Sequence, residues 1–416
     1  MEDALQLTAT TAQEGRGKAL SLPGLIGFTF AFRACLTLLF FKDDPVHGTV
    51  VDVVLSLLAF MVAVLCYTGA PQATAAAYFK TATLRWIAAS LAYCLISLSW
   101  SSAPLLSSAG YWVSWAADIA AVLLVLRYGP LKEQASSLMK GFVIGASFVA
   151  VVAWSIPTTI DLRLGDEDFL HPNVIGRLFS IAALLAIYFT AEDRRWQIPA
   201  FGLSFTVLRT LSKTSIIAFI AALACYFIRG SKLTRATKIK IGVLTTAVLA
   251  SFWGILETYL DAYTATVGPE TLTGRTLIWS VSAEYAMQKP WLGYGFYSYR
   301  IIVPRFGSFE AWQAHNELLQ QFFSFGIFGL ILVIGIYATF YWQIRHSRPG
   351  QLNTLVSALL VFALVRGITD AEIYDLSLPL WLMATLSVLL SSAQTDSQTT
   401  APPALEPSLP AQTPLQ

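Results

Sequence analysis

The sequence predicts an all-α, polytopic integral membrane protein with about twelve transmembrane helices and one large loop on the outer, periplasmic side. Three observations predict it. Of the 416 residues, 56% are hydrophobic and only 12% charged, and mean hydropathy is +0.61; a soluble domain carries about 25% charged residues. The apolar residues gather into runs close to the ~20 residues that a helix needs to cross the hydrocarbon core. The Lys and Arg residues fall mostly between those runs, and unequally on the two sides. This composition excludes a soluble globular enzyme, a disordered chain and a disulfide-stapled domain. A net charge of +2 argues against a large basic surface for nucleic acid.

Residues 1–21 are polar and contain Glu2, Asp3 and Glu14. They do not resemble a cleavable signal peptide, so they are expected to form a cytoplasmic N-terminus, with the first apolar run kept as an anchor. Nine candidate spans follow within 22–257, near 22–41, 50–69, 83–100, 109–126, 139–156, 173–190, 196–208, 214–228 and 241–257. The seventh and eighth are short. Three more lie within 318–391, near 318–342, 353–368 and 377–391. Residues 392–416 contain Pro402, Pro403, Pro407, Pro410 and Pro414 without Lys or Arg, and read as a disordered cytoplasmic tail. Gly141 and Gly145 form a GxxxG helix-packing motif. Cys35, Cys66, Cys94 and Cys225 all fall in apolar runs with no metal-ligand or disulfide spacing and read as small buried residues.

The basic residues set the orientation. With the N-terminus inside, sixteen of 27 lie on the cytoplasmic side, including Arg194, Arg195, Arg229, Lys232, Arg235, Lys238, Lys240, Arg345 and Arg348. Arg33, Arg177 and Arg366 lie within or at the edge of spans. Eight remain outside: Lys42, Arg163, Arg209, Lys213, Arg275, Lys289, Arg300 and Arg305. The large loop, 258–317, is the candidate extramembrane unit; it holds a helical stretch from about Thr276 to Gln288, with Thr273 as a possible cap.

Three places on the outer side could carry chemistry. The seventh span, at about 1.5 Å per residue, reaches only about 20 Å of a core about 30 Å thick. Arg209 and Lys213 on the following hairpin would then sit in a protein-lined recess, unless they snorkel to the surface. Arg275, in Thr273-Gly274-Arg275-Thr276-Leu277-Ile278-Trp279, would stand at a helix N-terminus, where free N–H groups, the helix dipole and a guanidinium fork all favour an anion; locally it also reads as an ordinary exposed Arg. His315, in Ala314-His315-Asn316-Glu317, stands where the loop re-enters the membrane. Its imidazole can take a proton near neutral pH, although a surface or capping His is the alternative. Asn316 could orient the ring or bind a sugar hydroxyl. His171-Pro172-Asn173 opens the sixth span after Asp166, Glu167 and Asp168, read as an exposed acidic turn rather than a metal site. Asp370 and Glu372 could orient a base or a cation, or simply cap helices. Gly293-Tyr294-Gly295 reads as a turn, with no nucleotide bound.

Four stretches resemble the membrane glycan ligase and polymerase superfamily of O-antigen ligases, O-antigen polymerases and exopolysaccharide polymerases. They are Leu98-Ser99-Trp100-Ser101; Arg209 to Ser215; Thr273 to Trp279, running on to Lys289-Pro290-Trp291-Leu292-Gly293-Tyr294-Gly295; and Ala314 to Gln320, followed by Gly326-Ile327-Phe328-Gly329. The last two are the specific ones. The resemblance implies a bacterial inner-membrane glycosyltransferase that needs no metal ion or nucleotide cofactor. Its donor would be an undecaprenyl-diphosphate-linked glycan and its acceptor a sugar hydroxyl. Arg209 and Arg275 would hold the diphosphate and His315 would be the base, with Lys213, Asn316, Gly274 and Trp279 in substrate binding. Flippase and chain-length regulator proteins are candidate partners. The Thr-Gly-Arg and Tyr294-Gly295-Phe296 runs are more similar to exopolysaccharide polymerases; ligation onto lipid A-core is the alternative. A membrane transporter is the alternative of another class. The chain shows no internal repeat, and its charges gather at one face, apart from Asp52 and Asp118 near or within spans.

Overall fold

The protein is described by a computed structural model covering residues 21–40, 45–68, 74–127, 129–156, 163–165, 171–230, 234–240, 242–243, 246–247, 272–306 and 310–399. The N-terminal segment, the Asp166-Glu167-Asp168 turn, most of the ninth candidate span and the first part of the large loop lie outside the described residues. Among the described residues the chain is helical and contains no β-strand. The helices are α1 Leu22–Phe40, α2 Pro45–Thr68, α3 Ala82–Ser97, α4 Leu105–Arg127, α5 Leu131–Ser155, α6 Pro172–Phe189, α7 Gln197–Arg209, α8 Lys213–Arg229, α9 Leu272–Gln288, α10 Tyr299–Ile302, α11 Glu317–His346, α12 Gln351–Thr369 and α13 Leu380–Thr399.

Six of the described helices are long and apolar enough to cross a membrane: α2, α4, α5, α6, α11 and α12. Shorter apolar helices run over Leu22–Leu36, Ala82–Ser97 and Leu380–Gln394. The seventh candidate span is α7, which has 13 residues. α13 passes Ser391, where the sequence suggests a disordered tail, and continues to Thr399. The first proline that would break the helix is Pro402.

The helices pack in pairs: α1 on α5, α2 on α4, α3 on α11, α6 on α7 and α8 on α12. α1 and α5 lie backbone to backbone. A Cβ added at Gly141 would stand 1.9 Å from the Gly24 carbonyl oxygen, and one at Gly145 would stand 2.5 Å from that of Phe28, as the GxxxG motif predicts. α2 faces outward instead, with Val54, Leu58, Met61 and Leu65 exposed; such an apolar stripe suits lipid rather than water. A charge pair lies inside the bundle. Arg33 of α1 donates from Nη2 to Asp118 Oδ2 of α4 at 2.8 Å and from Nη1 to Ser56 of α2 at 2.6 Å.

The long α11 is broken at Gly326, whose φ of 62° and ψ of −153° lie outside the helical region. The break frees backbone groups in mid-helix, and the segment after α9 satisfies them. Tyr294 N and Gly295 N donate to the carbonyls of Phe323 and Ser324 at 3.1 and 2.8 Å, and Ile327 N donates to Pro290 O at 2.8 Å. The same turn rests on the end of α3, where Phe296 N donates to Ser97 Oγ and Ser101 Oγ donates to Phe296 O. Three of the recognised sequence stretches, around Ser101, Gly293 and Gly326, are therefore one interlocked joint.

Gly326→Ala would place a Cβ 2.3 Å from the Trp291 carbonyl oxygen in a conformation that only glycine adopts readily. It should cost about 2 kcal/mol or more, read as a fall in unfolding temperature in detergent. Gly202→Ala, in open space on α7, should gain about 0.5–1 kcal/mol in the same measurement.

Candidate active site

α9 begins at Leu272, earlier than the Thr276 start expected from the sequence. Thr273 and Gly274 therefore lie within its first turn rather than ahead of it, and Arg275 projects from that turn. Arg275 Nη1 donates to Thr214 Oγ1 at 3.1 Å and to Thr369 O at 2.7 Å. The guanidinium thus joins the first turn of α8 to the last turn of α12. Thr369 Oγ1 donates in turn to Thr214 Oγ1 at 3.2 Å.

His315 precedes α11, and Asn316 is the cap: its Oδ1 accepts from Leu319 N at 2.9 Å. The Asn316 amide also donates to Ile368 O at 2.9 Å, so both ends of this side chain work in holding α11 against α12. His315 itself has φ 48°, a left-handed conformation that is costly for a residue with a Cβ and is found where surrounding structure enforces it. The enforcing contacts are visible. Trp279 Nε1 of α9 donates to His315 O at 3.2 Å, and His315 Nδ1 stands 3.2 Å from Asp370 Oδ1. Gln313 Nε2 donates to the same carboxylate oxygen at 3.1 Å. Arg275 and His315 therefore meet on two consecutive residues, Thr369 and Asp370.

Asp370 is fully buried, as is Arg366, whose Nη2 lies 2.8 Å from Asp370 Oδ2 and 2.8 Å from Glu372 Oε1. Arg177 of α6 completes the network, with Nη2 3.1 Å from Glu372 Oε2 and Nη1 donating to Leu376 O at 3.1 Å. Glu317 ties α11 to the same loop by accepting from Ser377 N at 2.6 Å, while Tyr337 donates to its other oxygen. Burial by itself raises the Asp370 carboxyl, but Arg366, His315 and Arg275 together hold it well below its usual range. Burial lowers the His315 ring below its ordinary 6.5; Asp370 pulls it back up in part, and the charges of Arg275 and His171 push it further down. His171, separated from His315 by motif in the sequence, is thus its electrostatic neighbour in space.

The hairpin that carries Arg209 and Lys213 packs beside these groups. Ser212 caps α8 by accepting from Ser215 N and donates to Asn173 Oδ1 of α6 at 2.7 Å. Leu211 has φ 52°, a second strained non-glycine. The Arg209 guanidinium lies 5.7 Å from the Trp154 ring centre, and Lys213 is the first residue of α8, adjacent to Thr214. The network residues not singled out as site candidates include Thr214, Thr369, Gln313, Tyr337, Ser377, Arg366 and Arg177. Of these, Arg177 and Arg366 carry a signal in the sequence, as cations inside apolar runs, where each needs a partner.

Asp370→Asn removes the charge that raises the His315 pKa, so the ring should titrate at lower pH than in the native chain. An NMR titration of the imidazole in detergent would show it. An unchanged or raised pKa would mean that Asp370 does not face the ring in solution.

Residues 198–334 match the family described as O-antigen ligase. The chain is 24% identical over 303 residues to the exopolysaccharide production protein ExoQ of Rhizobium meliloti, covering 66% of this chain and 67% of the relative. It is 26% identical over 296 residues to an O-antigen ligase of Pseudomonas aeruginosa, covering 68% and 70%. Arg209, Arg275 and His315 all fall within the matched segment. Residues 198–334 are thus similar to the O-antigen ligase family, in line with the membrane glycan ligase and polymerase superfamily that the motifs resemble.

Proposed function

We propose that the protein is a metal-independent glycosyltransferase. It moves an undecaprenyl-diphosphate-linked oligosaccharide or polysaccharide onto a sugar hydroxyl and so polymerises exopolysaccharide or O-antigen repeats. The observation that carries this reading is the meeting of Arg275 and His315 on Thr369 and Asp370. A fixed cation and a base oriented by a carboxylate stand side by side at helix ends. The match to an O-antigen ligase in Pseudomonas aeruginosa supports a second reading, in which lipid A-core is the acceptor.

In this mechanism the acceptor oxygen attacks the anomeric carbon of the donor. The bond from that carbon to the diphosphate breaks, and undecaprenyl diphosphate leaves with the electron pair. Arg275, with Arg209 on the neighbouring hairpin, meets the growing negative charge as a preorganised partner in a site of low dielectric. The first turns of α8 and α9 add N–H groups of the same polarity. Lys213 adds charge at the start of α8, and Trp279 holds the His315 backbone. With Nδ1 turned to the Asp370 carboxylate, Nε2 of His315 is the nitrogen that takes the hydroxyl proton. Asp370 stays ionised because Arg366 pairs with it, so the ring keeps one tautomer. The ring is neutral at pH 7, and activity should fall only when the pH drops through a pKa lying below 6.5.

His315→Ala should lose about 10²–10⁴-fold in rate, with donor binding retained; His346→Ala, at the opposite end of α11, should be unchanged. Arg275→Ala should abolish transfer and Arg275→Lys restore it only in part, because Lys lacks the planar fork. The assay is transfer by the purified protein in liposomes from a defined lipid-linked donor, run with and without EDTA. Activity lost to EDTA would refute the metal-free reading.

The basic-residue bias supports both termini in the cytoplasm and the site on the periplasmic face of the inner membrane. A reporter fused after Arg235 should score cytoplasmic, and one fused near Glu270 periplasmic. A cytoplasmic score near Glu270 would overturn the placement of the site.

A further inference from the structure

The start of α6 touches both halves of the candidate site, through residues outside the proposed chemistry. Asn173, Gly176 and Arg177 are spaced i, i+3 and i+4 and so share one face of the helix. α6 packs against both α8 and α12, whose ends supply Thr214 and Thr369, the two acceptors of Arg275. Toward α8, the buried Asn173 accepts at Oδ1 from Ser212 Oγ at 2.7 Å, and its carbonyl accepts from Ser215 Oγ at 3.4 Å. A Cβ at Gly176 would stand 2.6 Å from Ser215 Oγ and 3.3 Å from Ser212 Cβ, so glycine is what lets the two segments come this close. Ser212 lies on the hairpin between Arg209 and Lys213, and these contacts hold that hairpin. Toward the end of α12, Arg177 Nη2 lies 3.1 Å from Glu372 Oε2, and Nη1 donates to Leu376 O at 3.1 Å. From Glu372 the contacts alternate in charge as far as the base. Arg366 Nη2 lies 2.8 Å from both Glu372 Oε1 and Asp370 Oδ2, and Asp370 Oδ1 stands 3.2 Å from His315 Nδ1.

We infer that Asn173 and Arg177 are positioning residues: the first turns of α6 fix the spacing between the cationic hairpin proposed for the diphosphate and the His315 base. This rests on the glycan-transfer reading and deepens it. The base and the cations act on different atoms of one reaction, the acceptor hydroxyl and the departing diphosphate. A misplacement of about 1 Å between such groups can cost about a hundredfold in rate. They stand on separate segments of the chain, so a third element bonded to both holds their separation. Arg177 suits the role because its planar fork takes a carboxylate and a carbonyl at fixed angles. It also sets how charge is shared beyond it. Arg366 offers one nitrogen to Glu372 and Asp370 together, and Arg177 neutralises Glu372 from the other side. Without Arg177, Glu372 would compete harder for Arg366, and Asp370 would act more strongly on His315. The other charged groups facing the ring are Arg275 of α9 and His171 ahead of α6; Arg177 itself faces Glu372 and Asp375.

The base side is tested by an NMR titration of the His315 ring in the full-length protein in detergent. Arg177→Gln should move the midpoint up, because a cation is lost and Asp370 is less neutralised. Arg177→Lys should return it toward the native value. Glu372→Gln, which removes an anion, should move it down. Loosened packing does not give opposite shifts from the two partners of one ion pair. The donor side is tested by transfer in liposomes, with the lipid-linked oligosaccharide extracted from producing cells as donor. Asn173→Ala should raise the donor KM about fivefold or more, as for one lost buried hydrogen bond, with the ring midpoint unchanged. Arg177→Gln should lower kcat roughly tenfold or more, with the donor KM unchanged. A native midpoint in both Arg177→Gln and Glu372→Gln would overturn the inference, and so would equal changes in donor KM and kcat in Arg177→Gln and Asn173→Ala. The titration needs no turnover, which separates the inference from the functional reading. Opposite shifts in a protein that transfers nothing uphold the role of Arg177 and count against glycan transfer alone. If Arg177→Gln fails to fold, Glu372→Gln decides by the midpoint; if Asn173→Ala fails to fold, Ser212→Ala decides by the donor KM.

Discussion

A guanidinium that cannot reach water organises the end of the bundle where α12 stops. Arg366 is fully buried on α12, and leaving a charge there without partners would cost several kcal/mol. It is bound instead by Asp370, Glu372 and Ser377, all on the segment that follows its own helix. That segment is therefore folded back over the end of α12 rather than extended into solvent. Arg177 fastens it to α6 and Glu317 fastens it to α11. The position of Asp370, and through it the contact that orients the His315 ring, follows from satisfying Arg366.

The second constraint is the joint at Gly326. A continuous α11 would hydrogen-bond its own backbone throughout and leave no place for the segment after α9. The break exposes the carbonyls of Phe323 and Ser324, and the Gly293–Phe296 turn fills the opening. This holds α9 against α11, so Arg275 and Trp279 arrive on one helix. Trp279 then grips the strained backbone of His315, while Arg275 reaches Thr369. Strain at Leu211, Tyr297 and His315 is carried by this packed surround. Leu211 lies on the hairpin between Arg209 and Lys213, His315 lies in the candidate site and Tyr297 follows the turn at the joint, each where geometry is held against local preference.

The apolar runs, the close packing implied by GxxxG and the shortness of the seventh span were legible in the sequence because each depends on spacing along one helix. Arg275 and His315 could be singled out as candidates because a cation at a helix start and an imidazole at a loop–helix junction stand out against an apolar chain. The length of α13 was less so, since residues 392–399 are polar yet lack a helix breaker, and composition alone does not separate a helix end from a tail.

The sequence by itself determined which segments can enter lipid and which side chains have acid–base or anion-binding chemistry, because hydropathy and ionisation are properties of single residues in local runs. Tertiary structure decided what those side chains face. Arg275 and His315 are 40 positions apart in sequence, and they become one site because both bond to the end of α12. His171 likewise becomes an electrostatic neighbour of His315 only in the folded chain. Such contacts are made between helices, and a one-dimensional pattern carries no register between one helix and another.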